Sequence, residues 1–151
     1  MNKETACLAA AMIACFVMIV GVAQSEAKVP DSFRDIKLGM NKAQVIELLR
    51  KNPTHFSFED MGEEVGEIIR GHDLFRYATY RFDKAGVLVE IGLQMREIIG
   101  RDKCIETFNQ QYGLQLTPLS KTGDSEHIVE VRDNTVILRL AAEKDMRSAA
   151  K

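Results

Sequence analysis

The apolar positions of this chain form one long run, followed by a series of short periodic segments. Residues 6 to 23 carry no charge and lie between a Lys3–Glu4 start and the small residues Ala23, Ser25 and Ala27. A charged start, an apolar middle and a small-residue exit predict a secretory signal over residues 1–25. Cleavage after Ala23-Gln24-Ser25 leaves a mature chain from Glu26, with Ser25-Glu26-Ala27 as the competing site. The run is slightly shorter than the roughly 20 residues that span a bilayer, so the alternative is an uncleaved inner-membrane anchor through residues 6–23. A lipid-bearing Cys15 is disfavoured, because Met12 stands where leucine is usual and cleavage there would leave the apolar start Phe16-Val17-Met18-Ile19. The expected location is the periplasm.

Beyond a polar lead-in (residues 29–37) the pattern becomes helical. Asn41 with Gln44 three residues on reads as a capping box, and Met40 with Val45 as a hydrophobic staple. Val45, Leu48 and Leu49 continue one apolar stripe, while Lys42, Glu47 and Arg50 face water. Asn52-Pro53 ends the helix, since the residue before proline is pushed out of helical geometry. His55 to Phe58 alternates like a strand and Val65 to Arg70 could form another, with Glu59 to Glu64 an acidic loop between them. A clearer hairpin runs Leu74 to Phe82 and Val87 to Met95 around Asp83-Lys84-Ala85-Gly86. Strict alternation places Val87, Val89, Ile91, Leu93 and Met95 on one face and Leu88, Glu90, Gly92 and Gln94 on the other.

A second helix, Asp102 to Tyr112, gathers Cys104, Ile105, Phe108 and Tyr112 on one side, with Gly113 as its stop. After a polar connector (residues 117–125), a second hairpin pairs His127–Arg132 with Thr135–Ala142 around Asp133-Asn134. These elements predict a single α+β domain over residues 26–142, with helices packed on one face of an antiparallel sheet. Their order is α-β-β(-β)-α-β-β, and residues 143–151 form a flexible tail.

Composition narrows the function classes. The 151 residues carry a net charge of −2, which argues against nucleic acid as the main partner, because phosphate binding wants a clustered basic surface. Loss of Lys3 and Glu4 with the leader leaves that charge unchanged. It also removes Cys7 and Cys15, so Cys104 stands alone and no intramolecular disulfide can form. Cys104 reads as a buried small apolar residue on its helix, with a redox or dimerising thiol as the sharper alternative.

The segment Gly39-Met40-Asn41-Lys42-Ala43-Gln44-Val45-Ile46-Glu47-Leu48-Leu49-Arg50-Lys51-Asn52-Pro53 resembles the opening of the SmpA/OmlA (BamE-like) family of small bacterial envelope proteins. That family's pattern is approximately G-M-T-x-x-Q-V-x-x-L-L-G-x-P, followed by antiparallel strands. Asn41 replaces its threonine, Arg50 stands where glycine is usual, and Pro53 comes one residue late. The resemblance covers about 15 residues and is loose from there to Met95. It implies a non-enzymatic accessory role in outer-membrane assembly and an envelope protein as partner. The helix-and-sheet arrangement also looks like that of β-lactamase inhibitor proteins.

No chemical constellation stands out. His55, His72 and His127 lack metal-ligand spacing, and no nucleophile-elbow, P-loop or dinucleotide motif occurs, so no cofactor is expected. Glu59, Asp60, Glu63 and Glu64 lack the alternating ligands of a calcium loop. His72-Asp73 could form a base-and-orienter pair for a hydrolase, but a polar turn before a strand is the favoured reading. Phe75, Arg76, Tyr77, Tyr80 and Arg81 make an aromatic and basic strand whose outward residues could be a contact surface. Cross-strand packing is the competing account. The expectation is an exported, non-catalytic binding or adaptor domain, with a small-ligand-binding or enzyme-inhibitor module using the sheet face as the alternative.

Overall fold

The structure, a computed structural model, describes residues 28–51 and 55–142. The signal or anchor expected over residues 1–25 and the tail expected over 143–151 lie outside the described residues. Among those described, no helix is long and apolar enough to cross a membrane.

The described residues form two helices and nine strands, in the order β1 (Ser32–Phe33), β2 (Ile36–Lys37), α1 (Lys42–Lys51), β3 (His55–Asp60), β4 (Glu64–Ile69), β5 (Phe75–Phe82) and β6 (Leu88–Met95). Then come α2 (Arg101–Tyr112), β7 (Lys121–Gly123), β8 (His127–Arg132) and β9 (Thr135–Leu140). β1 and β2 form a small hairpin, and the other strands make one antiparallel seven-stranded sheet in the order β3-β4-β5-β6-β9-β8-β7. The mixed α+β class and the antiparallel sheet agree with the sequence pattern. The strand count exceeds the expected order: the polar lead-in holds β1 and β2, four strands rather than two or three lie between the helices, and the polar connector holds β7. The acidic stretch also differs from the expected loop: Glu59 and Asp60 end β3, Glu64 begins β4, and only residues 61–63 turn.

Local chemistry accounts for the best-defined junctions. At the start of α1 the Asn41 N–H donates to Gln44 Oε1 over 3.0 Å, and the Gln44 N–H donates back to Asn41 Oδ1 over 2.9 Å. This is the reciprocal cap that the spacing predicts. α2 ends at Gly113, whose φ of 66° lies in the left-handed region that side chains resist. Asp83 closes the β5–β6 turn by accepting from the N–H groups of Ala85 and Val87 at 2.9 Å each.

Paired residues of antiparallel strands share a face, so the register sorts the sheet into two sides. Val65, Tyr80, Ile91, Leu138 and Val129 form one row across five strands; Glu67, Ala78, Leu93, Val136 and Val131 form the next. All are buried, and apart from Glu67 all join one apolar cluster with Val45 and Leu49 of α1 and Cys104, Ile105 and Phe108 of α2. Full burial of each such large side chain stabilises by about 1.5–3 kcal/mol.

Two bulges displace the simple alternation. A register shift between Phe75 and Tyr77 turns Phe75 toward the core beside Met95, and a second between Arg81 and Phe82 brings Leu88 inward. Leu88 is therefore fully buried, whereas the half-buried Val87 and Val89 are not part of the core.

Candidate functional site

The five residues of the aromatic and basic strand do not form one surface. Phe75 and Tyr80 are core residues, at 3% and 0% exposure, which corrects their place in the expected contact surface. Phe75 is turned in by the bulge and meets Phe33 and Phe108 edge-on at 6.2 Å. Tyr80 lies on the apolar row described above. Arg76, Tyr77 and Arg81 stay on the outer side, Arg76 and Arg81 exposed and Tyr77 half-buried.

The register carries these three into a larger polar surface. Glu64, Arg81, Glu90 and Arg139 are successive cross-strand partners on β4, β5, β6 and β9, an alternating ladder on the face opposite the main cluster. Arg81 Nη2 lies 2.5 Å from Glu90 Oε2. On β8 the Glu130 carboxylate receives Arg132 Nη2 at 2.5 Å and Arg139 Nε at 3.6 Å. Arg76 bridges Gln94 Oε1 (3.3 Å) and Glu97 (3.0 Å) at the strand end. Ile128 and Ile137 share this face with the ladder, buried but apart from the main cluster. Their register partners are Arg139 on one side and Glu130 on the other. Long charged side chains commonly cover apolar surface with their stems in this way.

Two glycines shape the centre of the face. A Cβ on Gly66 would stand 1.9 Å from the Tyr77 hydroxyl, and one on Gly92 would stand 2.5 Å from Thr79 Oγ1. Each glycine therefore makes room for an outward side chain of β5 to lie across its neighbouring strand. Partial burial, then the Glu64 and Glu59 carboxylates, push the Tyr77 phenol above its ordinary pKa of 10.0, so it remains a donor at neutral pH.

His72 and Asp73 are placed as a turn. His72 Nδ1 accepts from the N–H groups of Leu74 (3.1 Å) and Phe75 (3.3 Å). Its ring lies tilted against those of Phe33 and Phe75, at 5.5 and 5.1 Å between centroids. A nitrogen used as a double acceptor leaves the proton of neutral histidine on Nε2. Burial first, and the Arg34 cation next, hold its pKa below the ordinary 6.5. No hydrogen bond joins Asp73 to the ring among the described residues, so the pair lacks the orienting contact of a base.

Sequence reasoning missed a buried polar contact. Glu67, 0% exposed, accepts from Tyr80 Oη at 2.7 Å, and Arg34 Nη1 approaches Glu67 Oε1 to 3.4 Å. Arg34 takes a positive φ of 54° in the β1–β2 turn, a conformation that costs about 1–2 kcal/mol, and its charge-assisted contact offsets that cost. Among the described residues no group of three or more His, Cys, Asp or Glu side chains could hold a metal ion. In comparisons with known proteins, no family model, curated protein or solved structure matches the chain.

Proposed function

We propose that this is an exported, non-catalytic binding or adaptor domain that engages an envelope protein through the outer face of its sheet, possessing Arg76, Tyr77 and Arg81 as anchors. The reading takes both helices to pack on the opposite face, consistent with their buried residues joining one cluster with the core rows. The observation that carries it is the cross-strand ladder Glu64–Arg81–Glu90–Arg139 beside the Tyr77 ring. Tyrosine and arginine supply much of the energy of protein interfaces, and alternating charges fix partner and register. Export rests on the N-terminal signal pattern. A role in outer-membrane assembly rests on the resemblance over residues 39–53.

Quantitative pull-down from gently solubilised envelope, comparing the wild type with Tyr77→Ala/Arg81→Glu, tests the reading. The wild type is expected to retain a protein that the double variant loses by about tenfold, in line with the removal of two interface anchors. Equal recovery by both, or no protein recovered, would overturn it.

A further inference from the structure

The two ends of the seven-stranded sheet are unequal. At one end β7 offers only three residues, Lys121 to Gly123, and its shortness and lysine are of the kind that blunt an edge. At the other end β3 runs for six residues and pairs only with β4 among the described residues. A groove of about 460 Å³ lies beside that edge, lined by Lys42, Ala43, Ile46, Glu47, Arg50 and Asp60. All but Asp60 belong to α1, on a stripe distinct from the buried Val45 and Leu49. An edge strand flanked by a helix is the arrangement in which extended peptides add as a further strand.

We propose that the β3 edge and this flank of α1 dock an extended segment of another protein. That segment is basic at one end, apolar in its middle and acidic at the other. The charges set this order. Lys42 Nζ binds both Asp60 Oδ1 and the Gly62 carbonyl at 2.6 Å, which ties the start of α1 to the β3–β4 turn. Exposed Glu59 and Glu63 stand at that end and have no ion-pair partner among the described residues, which suits a Lys or Arg of the incoming strand. Arg50 lies eight positions further along α1, about 12 Å away at 1.5 Å per residue. It is exposed, has no ion-pair partner among the described residues, and suits a carboxylate. Between the two ends, Ala43 and Ile46 present the apolar floor, and about four residues of extended chain cover that distance. Antiparallel addition places the basic end of the segment first in its sequence and the acidic end last.

The site differs from the outer face in the residues that test it. The probe is a fluorescein-labelled peptide, Lys-Val-Lys-Ile-Thr-Val-Glu, read by anisotropy and by hydrogen exchange of the protein. Binding is expected with slowed exchange at the amides of β3, and about tenfold loss when proline replaces the central Ile, because proline cannot donate to a strand ladder. Arg50→Glu, at an exposed helical site, should weaken the probe about tenfold and recover it against a peptide ending in Lys, since the exchanged charges again attract. Equal binding of the proline peptide, unchanged β3 exchange, or no recovery by the charge-swapped peptide would overturn the proposal. So would β3 protection that rises with protein concentration without peptide, which would assign the edge to a second copy.

Discussion

Tyr80 donates its hydroxyl proton to Glu67 across 2.7 Å within the core, from a neighbouring strand of the same face. Such a contact stabilises little beyond its own desolvation cost, but breaking it leaves a buried carboxylate short of a donor. Tyr80→Phe is therefore expected to lower stability by about 1–3 kcal/mol. Glu67→Ala should cost more, since it removes the acceptor of the buried Tyr80 hydroxyl and one contact of Arg34. Urea unfolding followed by circular dichroism checks the order; a neutral Tyr80→Phe would contradict it.

The His72 turn makes stability depend on pH. Its folded pKa lies below the ordinary 6.5, so the unfolded chain binds the proton more readily. The histidine's stabilising contribution is then complete above the unfolded pKa, about 6.5, and is lost as pH falls through that value toward the folded one. His72→Asn preserves a side-chain acceptor for Leu74 and Phe75 but cannot titrate. The variant is expected to flatten the decline in melting temperature just below pH 6.5. Asp31, Asp60 and Asp124, whose carboxyls sit below their ordinary 3.8 beside Lys37, Lys42 and backbone donors, act only at lower pH.

Gly66 and Tyr77 should be energetically coupled. Gly66→Ala drives a methyl into the phenol ring, whereas the same change in a Tyr77→Ala background meets no ring. A double-mutant cycle on unfolding free energy is expected to give a coupling of about 1 kcal/mol or more, and additivity would show that the ring moves freely.

Cys104 is buried, with Sγ 3.8 Å from the Leu74 carbonyl, and burial raises its thiol above the ordinary 9.0. A thiol-specific chromogenic reagent is expected to react with it only as fast as the domain unfolds, and to react freely in urea. Rapid labelling of the native protein would point to an accessible thiol.

What could be read in the chain depended on how local its causes are. The α1 cap was legible because Asn41 and Gln44 satisfy each other within one turn, and α2 because Cys104, Ile105 and Phe108 repeat at helical spacing. β1 and β2 were not, since their turn is Arg34-Asp35, without the glycine or asparagine that marks a hairpin. Alternation grouped Tyr77 with Arg81 but set Arg76 on the opposite face, and it did not fix which face buries. Phe75 was misplaced because one extra residue in a bulge reverses alternation, a change set by pairing with Met95 rather than by neighbours in sequence. Glu67 gave no sign of burial, because its partners Tyr80 and Arg34 are 13 and 33 residues away.

The position of β9 between β6 and β8 gives the sheet a seam. Strands β3 to β6 follow one another as neighbours, as do β7 to β9, and the two sets meet through five residue pairs from Glu90–Arg139 to Gln94–Thr135. Each set can assemble from contacts close in sequence, while the seam must wait for closure of the long α2 connection. Native-state hydrogen exchange is expected to divide the sheet at this boundary into two cooperative units. The charged pair Glu90–Arg139 is thus a rung of the outer ladder and also a fastening between two sets of strands that are each contiguous in sequence.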